Sequence, residues 1–242
     1  MRDPSLLRKT VAEALGTALL LMAVVGSGIA AQRLSPGDAG LELFENAVAT
    51  GAALAVIILA LGPVSGAHLN PAVSLVDAAL GGLGRHELLA YIAAQLIGAG
   101  AGVIVANLMF SLAPVSFSAQ VRSGAGLWLG EVVATFGLLL VIFGVARAGR
   151  SAIVPFAVGA YITGAYFFTS STSFANPAVT LARTLSNTFA GISPASVVPF
   201  VLAELGGAAI ALLAIRFLYP GVREIAGSVV IPHPSIPEEP PG

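Results

Sequence analysis

The sequence predicts an all-α membrane protein of six transmembrane helices and two re-entrant half-helices, arranged as an inverted repeat. Three observations predict it. Hydrophobic residues make up 57% of the 242 and charged residues only 10%, with a mean hydropathy of +0.93, against roughly 45–50% and about 25% in a soluble domain. Six stretches are long and apolar enough to span a bilayer, which takes about 20 residues. Finally, Asn-Pro-Ala-Val occurs twice, at Asn70–Val73 and Asn176–Val179, each time within an apolar segment too short to cross.

The first span, roughly 10–32, has the length of a full crossing and no small-residue cleavage site, so it reads as retained and not as a signal peptide. The second covers 45–63 and the third 86–110, with a short apolar segment at 66–80 between them. In that segment Pro71 occupies the first helical turn, where its missing N–H is no loss, and Asn70 stands at the cap position before it. The fourth and fifth spans, 126–147 and 152–171, precede the second short segment, 173–186, in which Asn176 and Pro177 repeat the arrangement. The sixth span is 195–218. The chain thus divides into an N-terminal segment 1–9, a first repeat 10–111, a connecting loop 112–123, a second repeat 124–219 and a tail 220–242. The tail is Pro-rich and lacks apolar periodicity, which predicts disorder.

The halves share more than the tetrapeptide. Ala12–Gly26 resembles Gly130–Gly144, with a glutamate one position into each, and Ala93–Phe110 resembles Leu202–Tyr219. The offsets are 118 between Glu13 and Glu131, 106 between Asn70 and Asn176, and 109 between Gln95 and Glu204. Each half holds three spans, and an odd number makes the second half enter the membrane from the opposite face. Both asparagine-capped N-termini then meet near the midplane, where non-helical backbone survives only if protein buries it or water lines it. Arg2, Arg8, Lys9, Arg85, Arg147, Arg150, Arg216 and Arg223 fall on one side and Arg33, Arg122 and Arg183 on the other. The positive-inside rule therefore places both termini in the cytoplasm.

Composition also narrows the function. A net charge of −1 offers no basic field for nucleic acid. Three His and no Cys leave no metal-ligand cluster and no thiol chemistry. No nucleophile with a base partner emerges, so the reading is not an enzyme, and no cofactor is called for.

Paired Asn-Pro-Ala loops at this spacing within six spans, from residue 8 to residue 220, resemble the aquaporin and glycerol-facilitator family of membrane channels. The resemblance implies six tilted helices plus two half-helices per protomer, a homotetramer with one pore per protomer, and a bacterial-type inner or plasma membrane as its place. The partners it implies are the lipid bilayer and small neutral solutes. The pore motif is Asn70, Pro71, Ala72 and Asn176, Pro177, Ala178, with the asparagine amides donating to a passing oxygen. Lumen-facing carbonyls are implied at Gly66, Ala67 and His68 and at Thr172, Ser173 and Phe174. Glu13 and Glu131 lie inside spans, where a carboxylate is costly. The family supports a role in accepting hydrogen bonds from loop backbone, and an ion or proton relay is the alternative. Glu204, opposite the neutral Gln95, reads as a protonated stand-in for an amide.

Counting from the asparagines, the resemblance places the narrowest ring at Thr50, Gly164, Ser173 and Val179. The family's usual ring carries an aromatic at the first of these positions and an Arg at the last; this sequence has neither. The expected opening is wide and uncharged, suited to undissociated metalloid acids such as arsenious acid, to methylated arsenicals, glycerol and urea. An orthodox water or glycerol facilitator and a coupled secondary transporter are the alternatives. Arg183, four residues after Val179 and so one turn away, about 6 Å, is expected to carry positive charge in the outer vestibule. Asp77, its repeat counterpart, is expected to face the cytoplasmic vestibule; the alternative is that both simply anchor the ends of the half-helices.

Overall fold

The computed structural model describes residues 4–219; the Pro-rich tail lies outside them. Eight α-helices follow in order: α1 Leu6–Leu34, α2 Ala39–Ser65, α3 Pro71–Leu80, α4 Arg85–Met109, α5 Ala125–Arg147, α6 Val154–Phe168, α7 Pro177–Ala182 and α8 Val197–Leu218. Short 3-10 turns precede α6 and α8, and another, Arg183–Leu185, continues α7. Six helical segments are long and apolar enough to cross a membrane, and α3 and α7 are the half-helices.

Helix ends follow local chemistry. Helix α2 begins six residues before its apolar run because Asp38 caps it, its carboxylate accepting from the Leu41 N–H at 3.0 Å. It ends where Gly66 turns left-handed at φ 83°, a conformation glycine adopts without a Cβ clash. Helix α6 stops at Phe168, short of its apolar run, because Thr169 is already extended and leads into the second loop.

Packing repeats the duplication. Helix α1 packs on α2 and α4 as α5 packs on α6 and α8, while α2 meets α6 across the two halves. The half-helices cross over: α3 packs on α8 as well as α4, and α7 on α4 as well as α8. The central contact between α2 and α6 is made at glycines. A Cβ on Gly51 of α2 would lie 2.7 Å from the Gly159 carbonyl oxygen of α6, and one on Gly159 would lie 2.6 Å from the Gly51 carbonyl oxygen. These glycines are repeat mates, 108 positions apart (51 to 159), so two copies of one site meet face to face.

The distribution of polarity is inside-out. Large apolar side chains such as Leu7, Ile97 and Phe217 stand exposed on the outer surface, whereas Glu13, Gln95, Glu131 and Glu204 are completely buried. An apolar exterior suits lipid, and the polar groups it leaves inside must find partners there.

Candidate functional site

The two loops preceding α3 and α7 repeat one conformation. Gly66, Ala67 and Leu69 in the first and Thr172, Ser173 and Ala175 in the second all have positive φ, between 46° and 83°. For a residue with a Cβ the left-handed region costs roughly 1–2 kcal/mol, so five such residues persist only because their surroundings fix them. Two buried glutamates do so. Glu13 Oε1 accepts from the His68 N–H at 2.9 Å and Oε2 from the Leu69 N–H at 2.7 Å. Glu131 accepts in the same way from Phe174 N–H at 2.9 Å and Ala175 N–H at 2.7 Å. The Glu13 carboxylate is completed by the Ser65 hydroxyl at 2.7 Å and the Gln95 amide at 2.8 Å.

The second half has no amide at the Gln95 position. Gln95 Nε2 also donates to Ser74 Oγ at 3.0 Å. In the other half Glu204 Oε1 accepts from the Thr180 hydroxyl at 2.5 Å and from the Asn176 N–H at 3.2 Å. Thr180 stands 106 positions after Ser74, the offset of the two asparagines.

At the centre each asparagine caps its own half-helix and reaches across to the other loop. Asn70 Oδ1 accepts from Ala72 N–H and Asn176 Oδ1 from Ala178 N–H. Asn70 Nδ2 donates to the Ala175 carbonyl oxygen, and Asn176 Nδ2 to that of Leu69, both at 2.8 Å. An amide carries two N–H groups, so this exchange leaves one on each asparagine. Pro71 and Pro177 occupy the first turns and, like Ala72 and Ala178, are buried.

A cavity lies beside this crossing. Its apolar wall comes from Leu20, Val24, Leu54, Ile58, Leu138 and Ile142 and from the α6 residues Val154, Val158 and Ile162. Its other wall is the two loops, with Ala67, His68, Leu69 and Asn70 on one side of the crossing and Ser173, Phe174, Ala175 and Asn176 on the other. Gly66 and Thr172, the first residue of each expected carbonyl set, are not among the lining residues; Leu69 and Ala175 take their place.

The expected ring is brought together in part. Thr50, Ser173 and Val179 line the cavity, but Gly164 does not: it is exposed on the outer face of α6. The correction is a matter of helical register. The lumen face of α6 runs Val154, Val158, Ile162, Tyr166, and a residue two positions off that row lies about 200° round the helix. Tyr166 takes the position. It is buried, lines the cavity, and its hydroxyl lies 3.3 Å from Thr50 Oγ1. The cavity wall beside Thr50 therefore carries an aromatic, delivered by α6. The alternation of apolar residues at four-residue spacing along 154–166 is the sequence signal that identifies it.

The two expected vestibule charges are also placed differently. Arg183 is 2% exposed and lines the same cavity as Val179, because its guanidinium folds back over the Phe174 ring, 3.5 Å from the centroid. Asp77 is 3% exposed and absent from the cavity lining; its Oδ2 lies 3.8 Å from His68 Nε2. Phe174 itself, counted only for its carbonyl, contributes its ring to the wall and packs edge-on against Phe200 of α8 at 5.3 Å.

Residues 1–173 match the family described as "MIP: Major intrinsic protein". Over 225 residues the chain is 54% identical to aquaglyceroporin AqpS of Rhizobium meliloti (strain 1021), spanning 93% of this chain and 96% of that protein. It is 34% identical over 230 residues to aquaporin NIP1-1 of Zea mays, spanning 92% of this chain and 79% of the other. The X-ray structure of the aquaglyceroporin from Plasmodium falciparum shares the fold, with a TM-score of 0.66 at 24% identity over 90% of this chain and 99% of that one.

Proposed function

The chain belongs to the major intrinsic protein family, and within that family of passive membrane channels we propose a pore for small uncharged solutes larger than water, including glycerol-like polyols and undissociated metalloid acids such as arsenious acid. One observation carries this reading: Val179 faces the cavity where the family's filter arginine is expected, flanked by Thr50, Tyr166 and Ser173. The four supply three hydroxyls, one ring and one aliphatic side chain, and no fixed charge. A solute with a carbon or metalloid centre meets the aliphatic wall with one face and the hydroxyls and loop carbonyls with the other. The half-helix N-termini at the crossing add positive potential, equivalent to roughly half a charge each, which disfavours cations.

In this proposal Asn70 and Asn176 present their remaining N–H groups to the passing solute, and Glu13 and Glu131 hold the loops. Both termini lie in the cytoplasm, on the side richer in Lys and Arg, and four protomers assemble with a pore in each. The 54% identical relative is itself an aquaglyceroporin by name, which favours solutes beyond water. Stopped-flow swelling of proteoliposomes with water, glycerol, urea and arsenious acid tests the reading, on wild type and Val179→Arg. The arginine is expected to reduce permeability to the largest solutes first, by about tenfold or more, and to water least. Equal loss for every solute, or no loss, overturns it.

A further inference from the structure

Building on the channel reading, we infer that Arg183, stacked on Phe174 and backed by Arg122, is the charged selectivity station of this pore: a donor fork that grips paired oxygens of a neutral solute and turns cations away. Arg183 is almost fully buried and yet lines the cavity. Its Nε donates to the Ala190 carbonyl oxygen, and its plane lies on the Phe174 ring. Among the described residues the only hydrogen bond from this side chain is that one. A guanidinium has five N–H groups in a rigid fork, so those of Nη1 and Nη2 remain for an occupant of the cavity.

The surroundings fit an occupant with more than one oxygen. Tyr166 and Thr50 present hydroxyls within the same cavity, and the buried Ser173 Oγ has no partner among the described residues. Adjacent hydroxyls of a polyol, or the oxygens of an undissociated oxyacid, match a planar fork better than a single-oxygen solute does. A fixed guanidinium charge in a low-dielectric lumen also raises the barrier to cations.

Arg122 acts from outside the cavity. Its Cζ lies 5.2 Å from the same Phe174 centroid, and its Nε and Nη2 donate to the carbonyl oxygens of Gly191 and Phe189 at 3.0 and 3.2 Å. Two guanidiniums thus hold three successive carbonyls, 189 to 191, with one ring against both. Arg122 is a positioning residue: it fixes the turn and the ring that fix Arg183.

The test uses the full chain in proteoliposomes. Glycerol flux is measured against glycerol concentration, and cation leak by dissipation of an imposed proton gradient. For Arg183→Gln the half-saturating glycerol concentration is expected to rise about tenfold, the effect of losing one hydrogen bond to a charged donor, and the leak to rise above wild type. Arg183→Lys keeps the charge and loses the fork, so it should raise half-saturation and leave the leak low. Arg122→Gln should shift half-saturation in the same direction, with Arg122→Lys restoring it in part. Wild-type saturation and leak in Arg183→Gln, or wild-type saturation in Arg183→Lys, overturns the inference while the channel reading stands. Absence of glycerol and urea flux in wild type overturns the channel reading itself.

Discussion

Asp77 is a residue whose surroundings do not suit its charge. It lies near the C-terminal end of α3, where the helix dipole is negative, and its Oδ1 has no donor among the described residues. Burial, with Glu87 adding charge of the same sign, pushes its carboxyl up to about 7. Lys9 pairs with Glu87 at 3.2 Å, and Arg216 donates to the Ala79 carbonyl oxygen at 2.9 Å. His68 offers no charge, because burial pushes it down to about 4, and its Nδ1 sits 3.1 Å from the Ser74 hydroxyl. A folded value above the ordinary 3.8 means that the folded state favours the protonated carboxyl. That contribution to stability is present below about pH 4 and lost as pH rises through about 7. Asp77→Asn is therefore expected to raise the melting temperature in detergent more at pH 8 than at pH 4. A gain equal at both values overturns the assignment. Asp77 is visible in the sequence as a carboxylate in an apolar run, but its burial beside His68 and the like charge of Glu87 on α4 are not.

At the scale of elements, close approach at glycine ties each long pair together. A Cβ on Gly98 of α4 would collide with the Ala14 carbonyl oxygen of α1, and one on Gly102 with that of Ala18. Gly207 of α8 stands in the same relation to Val132 of α5, 109 positions after Gly98. Gly100 and Gly206 have nothing within 4 Å. Gly98→Leu and Gly207→Leu are expected to lower stability by at least the roughly 1–3 kcal/mol of an overpacked site, whereas Gly100→Leu and Gly206→Leu are not. Thermal unfolding of the four purified variants checks it, and similar losses in all four defeat the explanation. The half-helices rest on different support. Helices of ten and six residues are marginal alone, so their caps, the glutamates and the exchanged asparagine bonds hold them. The apolar runs, the two caps and the inversion were legible in the sequence because each is local or a matter of counting. The half-helix lengths were legible less well: the second ends early, in a 3-10 turn at Arg183, where the guanidinium turns back to Phe174 and Ala190.

For the molecule as a whole, the apolar exterior sets what can be predicted of assembly. Phe44, Phe156, Phe167 and Phe168 are more than half exposed, and such faces are covered either by lipid or by other protomers. The proposed homotetramer is expected to give a protein mass of four times 24.3 kDa by light scattering in a mild detergent; a protein mass of 24.3 kDa refutes it. What the sequence by itself determined is the membrane class, the six spans, the two half-helices and their inversion, since apolar length, helix breaks and duplication are written along the chain. It also marked Asn70, Asn176, Glu13 and Glu131, polar side chains in apolar runs that must find partners inside. Only the tertiary structure decided that Tyr166 and not Gly164 faces the cavity, and that Arg183 and the Phe174 ring line it. Helix rotation is set by packing against elements distant in sequence, and two residues of offset turn a side chain from lumen to lipid. The path of a long side chain such as arginine is set later still, by the carbonyls and rings within its reach.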